Sequence, residues 1–249
     1  MDKPTVLVIA GFDPSGGAGI IADAKTLETI GVQGIFVQSC NTIQSATKFC
    51  ECYWIEEEII WQQLELLLKH YTPKVVKIGV IKNLDFLNQI LEVLKVKLPK
   101  VKIIWDPIIQ SSSGYCFQTE KHFKKIPTSC LTKIDLITPN FNEISAFTLD
   151  DDYKKTVEDI SAYCSIYLKG GHRKEVGVDE LYQPNKPKIV YFPRVKDCNE
   201  KHGSGCVLSS AIAAYYATFE KWEESCELAK TYVERYLAST PTLLGSHLK

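Results

Sequence analysis

The sequence predicts a three-layer α/β sandwich, with a mostly parallel central sheet, helices on both faces and a small antiparallel ribbon at one edge. Strand-like runs alternate with amphipathic helical segments along the chain, the pattern of successive βαβ units. Thr5 to Ala10 (TVLVIA) is a continuous apolar run rich in β-branched residues, as a strand covered on both faces requires. No repeat and no low-complexity linker interrupts the alternation, so residues 1–249 read as a single domain.

The first strand, Thr5 to Ala10, runs into GFDPSGGAG at Gly11 to Gly19. The following IIADAKTLETIG reads as a helix closed by Gly31, with Ile20, Ala24, Leu27 and Ile30 inward. A strand, a glycine-rich turn and a helix make the phosphate-binding element of many α/β proteins. This turn is no P-loop, because Ile20 and Ile21 stand where Lys and Ser/Thr are needed. It is no dinucleotide fingerprint either, because its glycines fall at 11, 16, 17 and 19. Asp13 can cap the turn or face a ligand. Gly34 to Ser39 is the next strand, and Asn41 to Thr47 reads as a polar loop. Gln44 in that loop can donate to and accept from a heterocycle at once, or simply be solvated. Ile55 to Tyr71 is an amphipathic helix, with Ile60, Leu64, Leu67 and Tyr71 in one stripe, ended by Thr72-Pro73.

Lys74 to Gly79 is a strand followed by Val80. Leu84 to Leu98 is a helix with Leu87, Ile90, Leu91 and Leu94 inward. Val101 to Trp105 is a strand that delivers Asp106-Pro107. Carboxyl ends of strands are where open α/β sheets bind ligands, so Asp106 reads either as a site residue or as a cap on the turn before Pro107. Ser111 to Gly114 is a polar loop suited to a lid. Ile134 to Thr138 is a strand, followed by Pro139-Asn140 and a helix from Asn142 to Leu149. Asn140 and Glu143 can form a capping box, or place an amide and a carboxylate beside magnesium-bound phosphate. Tyr153 to Tyr163 is helical. Ser165 to Leu168 is a strand ending in Lys169-Gly170-Gly171-His172, where Lys169 either reaches a phosphate as a point charge or is a solvated loop residue. Val178 to Tyr182 and Lys188 to Phe192 form the antiparallel edge ribbon. Trp222 to Leu237 is the last helix, with Trp222, Cys226, Ala229, Val233 and Tyr236 on one face, and Ser239 to Lys249 reads as frayed or lightly docked.

Asn199 to Ser210 (NEKHGSGCVLSS) is the stretch around which the rest is organised. Gly203, Ser204, Gly205 and Cys206 lead into an Ala-rich helical segment, Leu208 to Phe219. Free N–H groups and the dipole at such a helix start favour an anion, for instance a phosphoryl group in transfer. A thiol at that mouth is expected to have a depressed pKa. The alternative is an ordinary helix start, with Ser204 as cap and Cys206 as a small buried residue.

Bulk properties narrow the field. A net charge of −1, from 29 basic and 30 acidic residues, argues against nucleic acid as a partner. No apolar run approaches a membrane span, and the N-terminal residues lack the layout of a signal peptide, so a cytoplasmic protein is expected. The nine cysteines show neither CxxC pairs nor zinc spacing, and apart from Cys206 they read as reduced thiols used as small apolar residues.

Taken together, AGFDPSGGAGIIADAKT at 10 to 26, Gln44, KIG at 77 to 79, DP at 106 to 107, LITPNFNE at 136 to 143, LKGGH at 168 to 172 and HGSGC at 202 to 206 resemble hydroxymethylpyrimidine and phosphomethylpyrimidine kinases of thiamin biosynthesis, within the ribokinase-like superfamily. The resemblance spans almost the whole chain. It implies ATP-dependent phosphoryl transfer, with Mg²⁺, to a pyrimidine hydroxymethyl group and then to the resulting monophosphate. Gln44 would bond the aminopyrimidine edge, and Gly11, Asp13 and Val80 would line the pocket. Asn140 and Glu143 would organise ATP and magnesium, with Asp106 beside the metal, and Lys169 would neutralise the phosphates. Gly203, Ser204 and Gly205 would form the anion hole, with Cys206 in the catalytic position. Ser204 and Lys201 stand where the family usually has Thr, and Val80 where it often has Met. A pyridoxal or pyridoxine kinase and a non-catalytic binding protein of the same fold are the competing readings, with a sugar kinase third. Exposed edge strands and the resemblance suggest a homodimer.

Overall fold

The computed structural model describes residues 3–111, 113–117, 126–147, 152–171 and 177–248. Among the described residues nine strands form one sheet, in the order β3-β2-β1-β4-β5-β6-β7-β8-β9. β1 (Thr5–Phe12) lies at its centre, parallel to β2 (Gln33–Gln44) on one side and β4 (Val75–Ile78) on the other. β5 (Lys102–Trp105), β6 (Leu136–Ile137) and β7 (Ser165–Leu168) continue the parallel run. β8 (Asp179–Tyr182) and β9 (Ile189–Tyr191) add the expected antiparallel ribbon.

Side chains of β1 alternate between the two faces, as the period of a strand dictates. Leu7 and Ile9 join a core with α2 (Glu57–His70), α3 (Leu84–Lys97), α4 (Thr128–Leu131), α5 (Phe141–Ala146) and α6 (Tyr153–Ser161). Val6 and Val8 join the core on the other face, with α1 (Gly19–Ile30), α7 (Ser204–Phe219) and α8 (Trp222–Ala238). Leu87, Ile90, Leu91 and Leu94 of α3 are fully buried, as their spacing implies, each side chain stabilising the fold by roughly 1.5–3 kcal/mol. Among the described residues no helix is long and apolar enough to cross a membrane.

Four expectations change. Asn41 to Thr47 is not all loop. β2 continues to Gln44 and folds back, through a register shift after Ile43, onto antiparallel β3 (Phe49–Trp54). Its polar residues hid the alternation: Cys40 and Thr42 are buried, while Asn41 and Ile43 face out. The buried face of α1 is Ala22, Asp23, Thr26 and Leu27, rotated from the apolar stripe because Asp23 has an internal cation as partner. Tyr71 lies just past α2 and is exposed. The C-terminal tail is docked. His202 donates its N–H to Leu243 O at 2.9 Å, Lys201 Nζ reaches Thr240 O at 2.6 Å, and Tyr232 Oη pairs with His247 Nδ1 at 2.8 Å. The expected helix end at Leu149, together with Ser112 and His172, lies outside the described residues.

Candidate active site

Parallel pairing puts the carboxyl ends of β2, β1, β4, β5, β6 and β7 along one edge of the sheet. The sequence-predicted site residues lie at or beyond those ends, or at the tip of α7. An open cleft of about 240 Å³, lined by Lys3, Ala24, Glu28, Gln33, Gly34 and Phe36, contains none of them.

On the β5–β7 side the carboxylate of Asp106 is buried. It accepts hydrogen bonds from Thr138 Oγ1 (3.1 Å), Lys169 Nζ (3.0 Å) and Ser209 Oγ (3.1 Å). Lys169 Nζ also stands 3.5 Å from Glu143 Oε2. Asn140 and Glu143 do form the capping box: Asn140 Oδ1 accepts from Glu143 N, and Glu143 Oε2 accepts from Asn140 N at 2.7 Å. The box turns the Glu143 carboxylate toward Lys169, so capping and site placement are one arrangement. Burial pushes Glu143 up to about 7, against the pull of Lys169. Burial opposes the charge of Lys169, yet Asp106 and Glu143 hold its pKa well above the usual lysine value. One ammonium thus sits between two carboxylates.

On the β2–β1–β4 side Gly11 packs so closely that an added Cβ would lie 2.7 Å from Cys40 Sγ and 2.9 Å from Val80 Cγ1. Gln44 Nε2 donates to Thr42 Oγ1, which donates to Phe12 O, each at 2.8 Å. Phe49 of β3 stacks on Tyr115 at 4.2 Å, joining this hairpin to the end of the polar loop after β5. The Asp13 carboxylate is occupied by its own turn: it accepts from Ser15 N and Oγ, Gly17 N and Ala18 N, and pairs with His202 Nε2 at 3.0 Å. Burial disfavours its charge, but these donors outweigh burial and hold Asp13 below the usual carboxylate range. It caps the turn, and any influence on a ligand passes through the loop.

The tip of α7 bridges the two sides. Gly203 is its N-cap, in the left-handed conformation (φ 74°) and with no side-chain cap. Ser204 is therefore the first helical residue, four residues earlier than expected, and does not cap. The N–H groups of the first turn are left without helical acceptors. Gly203 lies against the Gly17–Ala18 backbone, while a Cβ on Gly205 would meet Lys169 Nζ at 3.3 Å and Asp106 Oδ2 at 4.0 Å. Cys206 departs from expectation. Burial pushes its thiol up to about 12, with Asp23 and Asp106 adding to the rise against the pull of Lys77 and the Gly19 N–H. The helix-tip effect is outweighed because the sulfur is almost entirely out of water. Among the described residues no group of three or more His, Cys, Asp or Glu could hold a metal by itself. The pair Asp106 and Glu143 is what a magnesium ion arriving with phosphates needs.

Sequence reasoning missed Thr138, Ser209, His202 and the pair Lys77–Asp23. Lys77 left a signal: a charged residue inside a strand otherwise made of buried apolar residues.

A family profile described as phosphomethylpyrimidine kinase matches residues 13–248. Hydroxymethylpyrimidine/phosphomethylpyrimidine kinase of Aquifex aeolicus is 30% identical over 95% of this chain and 95% of its own length. The crystal structure of phosphomethylpyrimidine kinase from Clostridium difficile superposes with a TM-score of 0.76 at 32% identity, covering 93% of this chain and 98% of that one. Pyridoxal kinase from Staphylococcus aureus, in complex with AMP-PCP, reaches a TM-score of 0.82 at 22% identity, covering 96% and 89%, a likeness of fold.

Proposed function

Because this chain belongs to the phosphomethylpyrimidine kinase family, we infer that it phosphorylates 4-amino-5-hydroxymethyl-2-methylpyrimidine and then the monophosphate, at the expense of ATP. It is a kinase of thiamin biosynthesis. One observation carries the site reading: the uncapped tip of α7 lies against the Gly17–Ala18 turn at Gly203 and faces the Lys169–Asp106 pair across a small gap at Gly205. The pyrimidine would lie on the side of Gly11, Val80 and Gln44, and ATP on the side of Asn140, Glu143 and Lys169.

Phosphoryl transfer asks chiefly for alignment and charge stabilisation. The first-turn amides at Ser204, Gly205 and Cys206 would face the migrating phosphoryl oxygens, and Lys169 would neutralise them from below. Asp106 and Glu143 would hold Mg²⁺, which supplies further neutralisation of the phosphates. As phosphate approaches, Lys169 exchanges carboxylate partners for phosphate ones. The Cys206 thiol keeps its proton at rest, so the helix tip and Lys169 carry the larger share of the rate, and Cys206 accepts the alcohol proton only as the minority thiolate.

The test is a coupled ATP assay with the pyrimidine alcohol, its monophosphate and pyridoxal in parallel. Turnover of both pyrimidines, with kcat/KM well above that for pyridoxal, is the expected result. Preference for pyridoxal would move the chain to the related vitamin kinases, and no turnover at all would refute the assignment.

A further inference from the structure

Beneath the α7 tip lies an ion pair that the mechanism above does not use. Lys77 Nζ, on β4, sits 2.9 and 2.8 Å from the two oxygens of Asp23, on α1, and both side chains are wholly buried. Asp23 Oδ1 also accepts from Ser210 Oγ of α7 at 2.7 Å. Ser210 and Cys206 are four residues apart, one above the other on a single face of α7. Asp23 and Gly19 are likewise four apart on α1, and the Gly19 N–H points at the Cys206 sulfur. Two helix starts therefore face each other, Gly19 opposite Cys206 and Asp23 opposite Ser210. Lys77 rises from the sheet between them, its ammonium 3.3 Å from the place a Cβ on Gly79 would occupy. A buried pair of this kind rarely stabilises a fold better than apolar residues of the same size, so stability alone is a weak reason for its presence.

We propose that Lys77 is a positioning residue for phosphoryl transfer, setting the first turn of α7 against α1 and standing as counter-charge to the Cys206 thiolate when the acceptor proton is taken up. The charged and titratable groups facing the sulfur are Lys77 from β4, Lys169 from the end of β7, Asp23 from α1, Asp106 from the end of β5 and Tyr236 from α8, together with the Gly19 N–H. Lys77 and Lys169 are the two cations among them; Lys77 exerts the larger pull, and Asp23 offsets part of it. The inference rests on the kinase reading, but its first readout does not require activity.

That readout is the rate of Cys206 alkylation by iodoacetamide at fixed alkaline pH, followed on the Cys206 peptide by mass spectrometry. The rate is proportional to the thiolate fraction, and one unit of pKa is tenfold. Asp23→Asn with Lys77→Met removes both charges without leaving either buried alone. Lys77 attracts the thiolate more than Asp23 repels it, so alkylation should slow by about threefold or more. In the kinase assay the double variant should lose kcat by about tenfold or more, with KM for ATP nearly unchanged. A merely structural role predicts loss of thermal stability with alkylation unchanged or faster, and either rate would overturn the proposal. If the double variant does not fold, Ser210→Ala, which cuts only the bond from α7 to Asp23, should lower kcat with KM for ATP nearly unchanged, and full kcat there overturns it. Absence of turnover in the unsubstituted enzyme would sink the kinase reading and leave the alkylation test standing.

Discussion

The two glycines at the α7 tip are glycine for different reasons, and replacing each by alanine separates fold from catalysis. Gly203 has φ 74°, and a Cβ there would lie 2.1 Å from Gly17 O and 2.7 Å from Ala18 Cα. Neither backbone can yield cheaply. The left-handed conformation alone costs a side-chain-bearing residue about 1–2 kcal/mol, so Gly203→Ala should melt earlier by several degrees. Gly205 is the second helical residue, its φ is not positive, and the nearest obstacle to a Cβ is the mobile end of Lys169 at 3.3 Å. For folding, Gly205→Ala is neutral or favourable, by up to about 1 kcal/mol of helix propensity. For chemistry the methyl occupies the gap between the first-turn amides and Lys169 that a phosphoryl oxygen must enter. Losing one such donor costs roughly 10²–10³ in kcat, about 2.7–4 kcal/mol. The two effects have opposite signs. Thermal melts and steady-state kinetics on both variants are the assay. A Gly205→Ala enzyme with full kcat, or one as destabilised as Gly203→Ala, would refute the reasoning.

Other predictions follow from the same contacts. Lys169→Met strands Asp106 and Glu143 without their shared cation; kcat should fall by roughly 10²–10³ and KM for ATP should rise, read from steady-state kinetics. Glu143→Gln preserves the capping box, since Gln serves at that position. Its thermal stability should stay within about 1 kcal/mol of the parent while kcat drops roughly tenfold or more, checked by melts and turnover on one preparation. His247, in the docked tail, is pushed down from 6.5 to about 4, mainly by burial and further by Lys25. The unfolded chain therefore binds more protons between those values, and stability present above pH 6.5 is lost as pH falls toward 4. His247→Gln should flatten that part of the melting-temperature profile.

The layer order and most strand ends were legible because buried parallel strands are short apolar runs, and because the helices between them keep their stripe. Asp106 and Lys169 were legible as candidates through position, each just beyond a strand, and Glu143 through its place three residues after Asn140. What stayed hidden had balanced polar partners. Asn41 to Gln44 looks like loop because polar residues fall on both faces and apolar Ile43 faces out, although Cys40 and Thr42 point in. Asp23 and Lys77 each look misplaced until the other is seen 2.8 Å away. The Asp13 carboxylate is spoken for by donors up to 189 residues distant, at His202. The tail reads as frayed or lightly docked because its anchors, Tyr232, Tyr236 and His202, lie outside it. Cys206 departs from expectation for a different reason: a helix start and a nearby cation lower a thiol pKa only where burial does not outweigh them, and depth of burial is not written in local sequence.

A crystal structure with ADP, aluminium fluoride, Mg²⁺ and the pyrimidine alcohol tests the central claim most directly. The account predicts the fluoride ligands within hydrogen-bonding distance of the amides at Ser204, Gly205 and Cys206, with Lys169 turned toward them and the alcohol oxygen on the Gly11 side. An aluminium centre held elsewhere, with the α7 amides facing only solvent or protein, would contradict it.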